Sequence, residues 1–169
     1  MQDILHNRIR VLRGSIAFAI LLALSLAGCN QAITETVTVT DPALVSYASS
    51  LAIDLTTFTK TSTGLYYKDV PAGTGTAADS GNTVTVDYTG RFTSGNLFDS
   101  SRGSANQTFS FLLGGGTVIA AWDQGIKGMR IGGKRRLIVP PSLGYGAVGS
   151  GAIPPNTILI FDITLYGVR

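Results

Sequence analysis

The sequence predicts an α+β domain, a curved antiparallel β-sheet of about five strands wrapped around one short helix. Three observations predict it. Gly is abundant, at 21 residues, while Glu occurs only at Glu35; that balance favours strands and turns over a helical bundle. Val84, Val86 and Tyr88 alternate with Thr85 and Asp87, the period of a half-buried strand. In Val118 to Lys127, Ile119, Trp122 and Ile126 stand three and four residues apart, on one face of a helix.

Taken in order, the chain has three parts. Residues 1–28 carry Arg8, Arg10 and Arg13 ahead of an apolar run, Ile16 to Leu26, broken only by Ser25. A basic flank and an apolar stretch of this length predict a signal peptide, too short for a comfortable transmembrane helix. Leu26-Ala27-Gly28-Cys29 resembles a bacterial lipobox. The resemblance implies lipid attachment to the Cys29 thiol, cleavage before it, and an exported, membrane-anchored lipoprotein facing the periplasm or the cell exterior.

Residues 29–63 are rich in Thr, Ser and Ala and read as a lipid-anchored tether, a spacer by composition. Within it Asp41-Pro42 looks like an N-cap followed by proline at the first helical position. Leu44, Tyr47, Ala48, Leu51 and Leu55 recur at helical spacing, so a short helix is expected over 42–53.

Residues 64–169 form the domain. Gly64 to Val70 reads as a strand, closed by Pro71-Ala72-Gly73. Asp79-Ser80-Gly81-Asn82 is a turn, and the alternating strand then runs to about Phe92. Thr108 to Leu113 is a strand ended by Gly114-Gly115-Gly116, which predicts a mobile loop. The helix follows and stops at Gly128. Arg135 to Val139 and Thr157 to Leu165 complete the sheet.

The formal net charge is +3, but residues 1–28 hold three Arg and one Asp. The remainder is close to neutral, which argues against a nucleic-acid partner. Lys134-Arg135-Arg136 reads as a solvated strand entry. His6 is the only His and Cys29 the only Cys. The domain therefore contains neither residue, cannot form an internal disulfide, and offers no Ser/His/Asp set. No metal or cofactor is expected. What remains is a set of aromatic and apolar side chains with one lone carboxylate, Asp99, parts suited to gripping an apolar amide.

The segments Val84-Thr85-Val86-Asp87-Tyr88-Thr89-Gly90, Phe98-Asp99-Ser100-Ser101, Phe109-Ser110-Phe111, Gly125-Ile126, Ile138-Val139-Pro140-Pro141, Tyr145-Gly146, Ile153-Pro154-Pro155 and Leu159-Ile160-Phe161-Asp162-Ile163 resemble FKBP-type peptidyl-prolyl cis-trans isomerases, in order and without large gaps from Gly64 to Arg169. The resemblance implies a site with Trp122 as floor beneath a proline ring and Tyr88, Phe98, Phe109 and Phe161 as walls. It places the Ile119 backbone N–H and the Tyr145 hydroxyl against carbonyls of a bound chain, Asp99 at the pocket edge, and Val118 and Ile153 beside the substrate. Tyr88, Phe98, Asp99, Trp122, Tyr145 and Phe161 are the implied catalytic set. Asp162 reads as a structural hydrogen-bonding residue.

Three positions depart from the family pattern. Ala121 stands where Gly is frequent, Thr117 where a charged residue is frequent, and the Gly149-Ser150-Gly151-Ala152 loop lacks bulky groups. The expected activity is rotation of X–Pro bonds in exported proteins, non-covalent and metal-free, open to macrolide inhibitors of the FKBP class. The alternative is a membrane-tethered prolyl-binding module or chaperone with little turnover.

Overall fold

The computed structural model describes residues 40–102 and 108–169, which fall in one compact unit, Thr36–Arg169. The leader, its lipobox and Cys29 lie outside the described residues. Seven strands make one antiparallel sheet: β1 (Thr59–Lys60), β2 (Tyr66–Asp69), β3 (Thr83–Phe92), β4 (Leu97–Ser100), β5 (Phe109–Leu112), β6 (Lys134–Val139) and β7 (Leu159–Val168), with one helix, α1 (Ala120–Gly125). The order is β1-β2-β6-β7-β3-β4, and β5 also pairs with β3. The expected α+β architecture is present, with β1 and β4 beyond the strands read from the sequence. Both are short and neither alternates: β4 is Leu-Phe-Asp-Ser, and it becomes a strand because the long β3 offers an edge to pair with. β4 takes one end of that edge, opposite Thr89–Arg91, and β5 the other, opposite Thr83–Val86.

The period-2 alternation of β6 and β7 separates two apolar layers. Leu137 and Val139 of β6, with Leu159, Phe161, Ile163 and Leu165 of β7, join Trp122 and Ile126 of the helical segment in the main core. Ile138, between them, points to the opposite face and packs with Tyr66 and Ile158 in a second cluster.

That second cluster is covered by the segment expected to be a spacer. Val45, Tyr47, Ile53, Leu55 and Phe58 pack against it. The expected helix over 42–53 is absent; three 3₁₀ turns, Pro42–Leu44, Ser49–Leu51 and Leu55–Thr57, stand along this stretch. Asp41 caps the first turn, accepting from the Ala43 N–H at 2.9 Å, but the backbone is already extended at Val45. Extended chain after the first turn lets residues two apart, Val45 and Tyr47, both meet the sheet, and Ile53, Leu55 and Phe58 follow. A helix would have turned Leu44 inward, and Leu44 is 75% exposed.

Of the basic run of β6 only Lys134 is a solvated entry. Alternation sends Arg135 inward, where it is 7% exposed. Its guanidinium donates to Asp69 at 2.7 and 2.9 Å and to the Gly125 carbonyl at 2.9 Å, a cation at the C-terminal end of α1. Arg136 faces the other way and makes a two-pronged bond with Asp162, Nε to Oδ1 at 2.6 Å and Nη2 to Oδ2 at 2.8 Å. Asp162 thus serves structurally, with an ion-pair partner.

Candidate active site

An open cleft of about 410 Å³ lies over the main core, lined by Tyr88, Asp99, Phe109, Thr117, Val118, Ile119, Trp122, Tyr145 and Phe161. Trp122 is its base. The side chain leaves α1 toward the sheet and is 5% exposed. Tyr88 stands edge-on to it with ring centroids 4.8 Å apart, and Phe161 stands edge-on at 5.4 Å. Phe109 and Phe111, adjacent on β5, complete the ring set at 6.0 and 5.7 Å. Edge-to-face contacts suit the quadrupoles of these rings. The Trp122 indole N–H is buried with no hydrogen-bond partner among the described residues, so even the polar handle of the base sits in apolar surroundings.

The polar groups of the lining include a linked pair, Tyr88 and Asp99. The Tyr88 hydroxyl donates to Asp99 Oδ2 at 2.8 Å, and Asp99 Oδ1 accepts from the Ser100 N–H at 2.8 Å. Burial, and then the Asp99 carboxylate, push the Tyr88 phenol above its ordinary value. Burial, and then the charge of Asp99, raise that of Tyr145. Both phenols therefore remain protonated through the neutral range and can donate. Ile119 is the N-cap of α1, extended at φ −61° and ψ 146°. Its N–H makes no backbone bond among the described residues, and Ile119 itself lines the cleft.

Eight of the ten residues singled out from the sequence come together at the cleft: Tyr88, Asp99, Phe109, Val118, Ile119, Trp122, Tyr145 and Phe161. Phe98 and Ile153 do not line it. Phe98 sits behind Phe161, edge-on at 5.6 Å, and beside Phe92 at 5.0 Å. It reaches that position over Gly90, where a Cβ would come within 2.6 Å of its ring; any side chain there would force Phe98 away from Phe161. Ile153 packs against the core and bridges to Ser150 across the small loop.

Two residues are not among the site residues read from the sequence, although Thr117 stands out there as a departure from the family pattern. Thr117 lines the cleft. Asp123, one residue after Trp122, accepts the Gly114 N–H at 2.7 Å and the Gly116 N–H at 3.3 Å. The triglycine loop, expected to be mobile, is thereby tied to the helix that carries Trp122. An acidic residue in the first turn of a helix beside a glycine run was the available signal, because free N–H groups seek a carboxylate.

Residues 74–166 match the family described as FKBP-type peptidyl-prolyl cis-trans isomerase. The chain belongs to this family. It is 46% identical over 110 residues to peptidyl-prolyl cis-trans isomerase FKBP53 of Arabidopsis thaliana, covering 63% of this chain and 23% of that protein. It is 44% identical over 108 residues to the FKBP-type isomerase FkpA of Escherichia coli, covering 64% of this chain and 39% of that one. The chain thus spans well under half the length of these curated relatives. The crystal structure of FkpA superposes with a TM-score of 0.63 at 40% identity, over 72% of this chain and 55% of that one. That of AtFKBP13 gives 0.62 at 37% identity, over 66% of this chain and 98% of that one. The FKBP fold is therefore shared with these structures, and the strap over residues 42–58 lies before the segment that the family matches.

Proposed function

We propose that this FKBP-family chain is a peptidyl-prolyl cis-trans isomerase that rotates X–Pro bonds in polypeptides folding outside the cytoplasm. The observation that carries the reading is the cleft itself: Trp122 at its base, with aromatic rings around it. Amide resonance sets a rotation barrier of roughly 18–20 kcal/mol. The twisted amide loses that resonance and is less polar than the planar one. A cleft floored by aromatic rings, from which the bound proline displaces water, therefore favours the twisted state over the ground state. The proline ring rests on Trp122, with Phe109 and Phe161 beside it. The Ile119 N–H and the Tyr145 hydroxyl bond carbonyls of the bound chain, and Asp99 holds Tyr88 in place at the rim. No covalent intermediate is required.

The same reading makes Cys29 a lipid-bearing anchor that holds the domain at a membrane, motivated by Leu26-Ala27-Gly28-Cys29 behind a basic, apolar leader. Intact-mass measurement of membrane-extracted protein tests it, and an unmodified Cys29 in an uncleaved chain overturns it.

A protease-coupled assay on a prolyl peptide tests the activity. Turnover that saturates, persists in chelator and is blocked competitively by an FKBP-class macrolide is the expected result. Binding of the peptide without acceleration of its isomerisation converts the reading to a prolyl-binding module.

A further inference from the structure

The strap does more than cover the sheet: it holds the hairpin from which Asp99, at the cleft, and Phe98, behind Phe161, project. β3 and β4 are joined by the turn Thr93-Ser94-Gly95-Asn96, and β4 carries Phe98 and Asp99. The Ala48 N–H of the strap donates to the Thr93 carbonyl at 2.9 Å. At Gly95, a Cβ would lie 3.1 Å from Ser50 Oγ and 3.6 Å from Ala48 Cβ, so strap and turn are in direct contact. The strap is fixed in turn from the sheet: Arg136 Nη1 donates to the Leu51 carbonyl at 2.6 Å while its other nitrogens hold Asp162. Asp162 follows Phe161, a wall of the cleft. A continuous set of bonds thus runs from β7 through Arg136 and the 48–51 turn to the tip of the β3–β4 hairpin.

We infer that Ala48 to Leu51 form a positioning element for the isomerase site, setting the hairpin so that Asp99 meets the Tyr88 hydroxyl and Phe98 backs Phe161. The inference rests on the isomerase reading above. Neither Ala48 nor Leu51 lines the cleft, and the effect passes through β4. β5, on the other end of the same β3 edge, has no such support from the strap's 48–51 turn, so the two strands should respond differently.

Ala48→Pro in the full chain tests this. Ala48 sits at φ −56°, a value proline adopts, so the ring suits the strap's own backbone; it removes the N–H and sets its Cδ against the Thr93 carbonyl, which breaks the contact with the turn. Amide hydrogen exchange at Leu97–Ser100 should speed up while that at Phe109–Leu112 stays as in the parent, and kcat/KM should fall about 3- to 10-fold. Tyr47→Phe is the control: it removes the bond from the Tyr47 hydroxyl to the Pro42 carbonyl, inside the strap, and should change neither measurement. Should Ala48→Pro unfold, Arg136→Lys, which keeps the charge but loses the two-pronged geometry, should give the same selective loosening of β4. A parent without isomerase activity overturns the reading beneath the inference. An active parent whose variants match it in β4 exchange and in kcat/KM overturns the inference alone.

Discussion

The two faces of the sheet carry similar side chains and end in opposite states. On the inner face Tyr88, Phe109, Phe161 and Trp122 pack ring to ring and leave a cleft open to solvent. On the outer face Tyr66, Ile138 and Ile158 would be as apolar, but the strap lies over them and leaves each buried. The inner cover is α1, only six residues long, too short to roof the rings of β3, β5 and β7 together. The outer cover is an extended chain that follows the sheet. An apolar face becomes a site where its cover stops short, and becomes core where the cover is long enough.

Four experiments break or sharpen this contrast. Trp122→Ala, at the base of the open face, should cost about 3–5 kcal/mol of stability, because the ring is buried among four others. Chemical denaturation reads it, and isomerase activity should be lost with it. On the closed face, a chain beginning at Thr61 exposes Tyr66, Ile138 and Ile158. Their lost burial is partly offset by the entropy the strap no longer gives up, leaving a net destabilisation of about 2–3 kcal/mol. A denaturation midpoint equal to that of the intact chain would show the strap to be a passive passenger.

Tyr145→Phe separates chemistry from packing on the open face. Tyr145 is 36% exposed at the rim, so losing its hydroxyl should leave melting unchanged. Steady-state kinetics should show kcat/KM lower by the equivalent of about 0.5–1.5 kcal/mol. An unchanged kcat/KM would remove this hydroxyl from the substrate contacts.

The smallest effect is on pH. The Tyr88 phenol is raised in the folded protein by burial and by Asp99. A group raised above its unfolded value, about 10 for tyrosine, contributes stability that is complete below that value and lost as pH rises past it. Stability should therefore fall on going above about pH 10, and Tyr88→Phe should flatten part of that slope. Below it, kcat/KM should be level from about pH 6 to 9, since the site holds both phenols protonated. A titration in that range would point to an ionising group that the cleft geometry does not contain.

Much of the open face could be read from the chain alone, and little of the closed one. Tyr88 and Phe161 fall on the inward phase of strands whose alternation is visible, and Ile119 and Trp122 on one helical face. Phe98, expected as a wall, is not among the residues lining the cleft; β4 has no period of its own, and the ring's position depends on Gly90 across the pair. The strap misled for the opposite reason. Leu44, Tyr47, Ala48, Leu51 and Leu55 do recur at helical spacing, but two of its turns break at extended residues, Val45 and Phe58, because the sheet beneath rewards a different period.

By itself the sequence determined the antiparallel α+β class, the aromatic inventory of the cleft and the lack of His or Cys in the domain. These depend on residue type and on periods of two or about 3.6 residues, which are local properties. Only the tertiary structure decided the partners of Arg135 and Arg136, the Asp123 tie to the triglycine loop and the seat of the strap. Arg135 finds Asp69 across 66 residues and Arg136 finds Leu51 across 85. No local period carries that information. Such bonds form because a strand turns each charge toward one face of the sheet, and burial there demands a partner that the folded chain must bring from elsewhere.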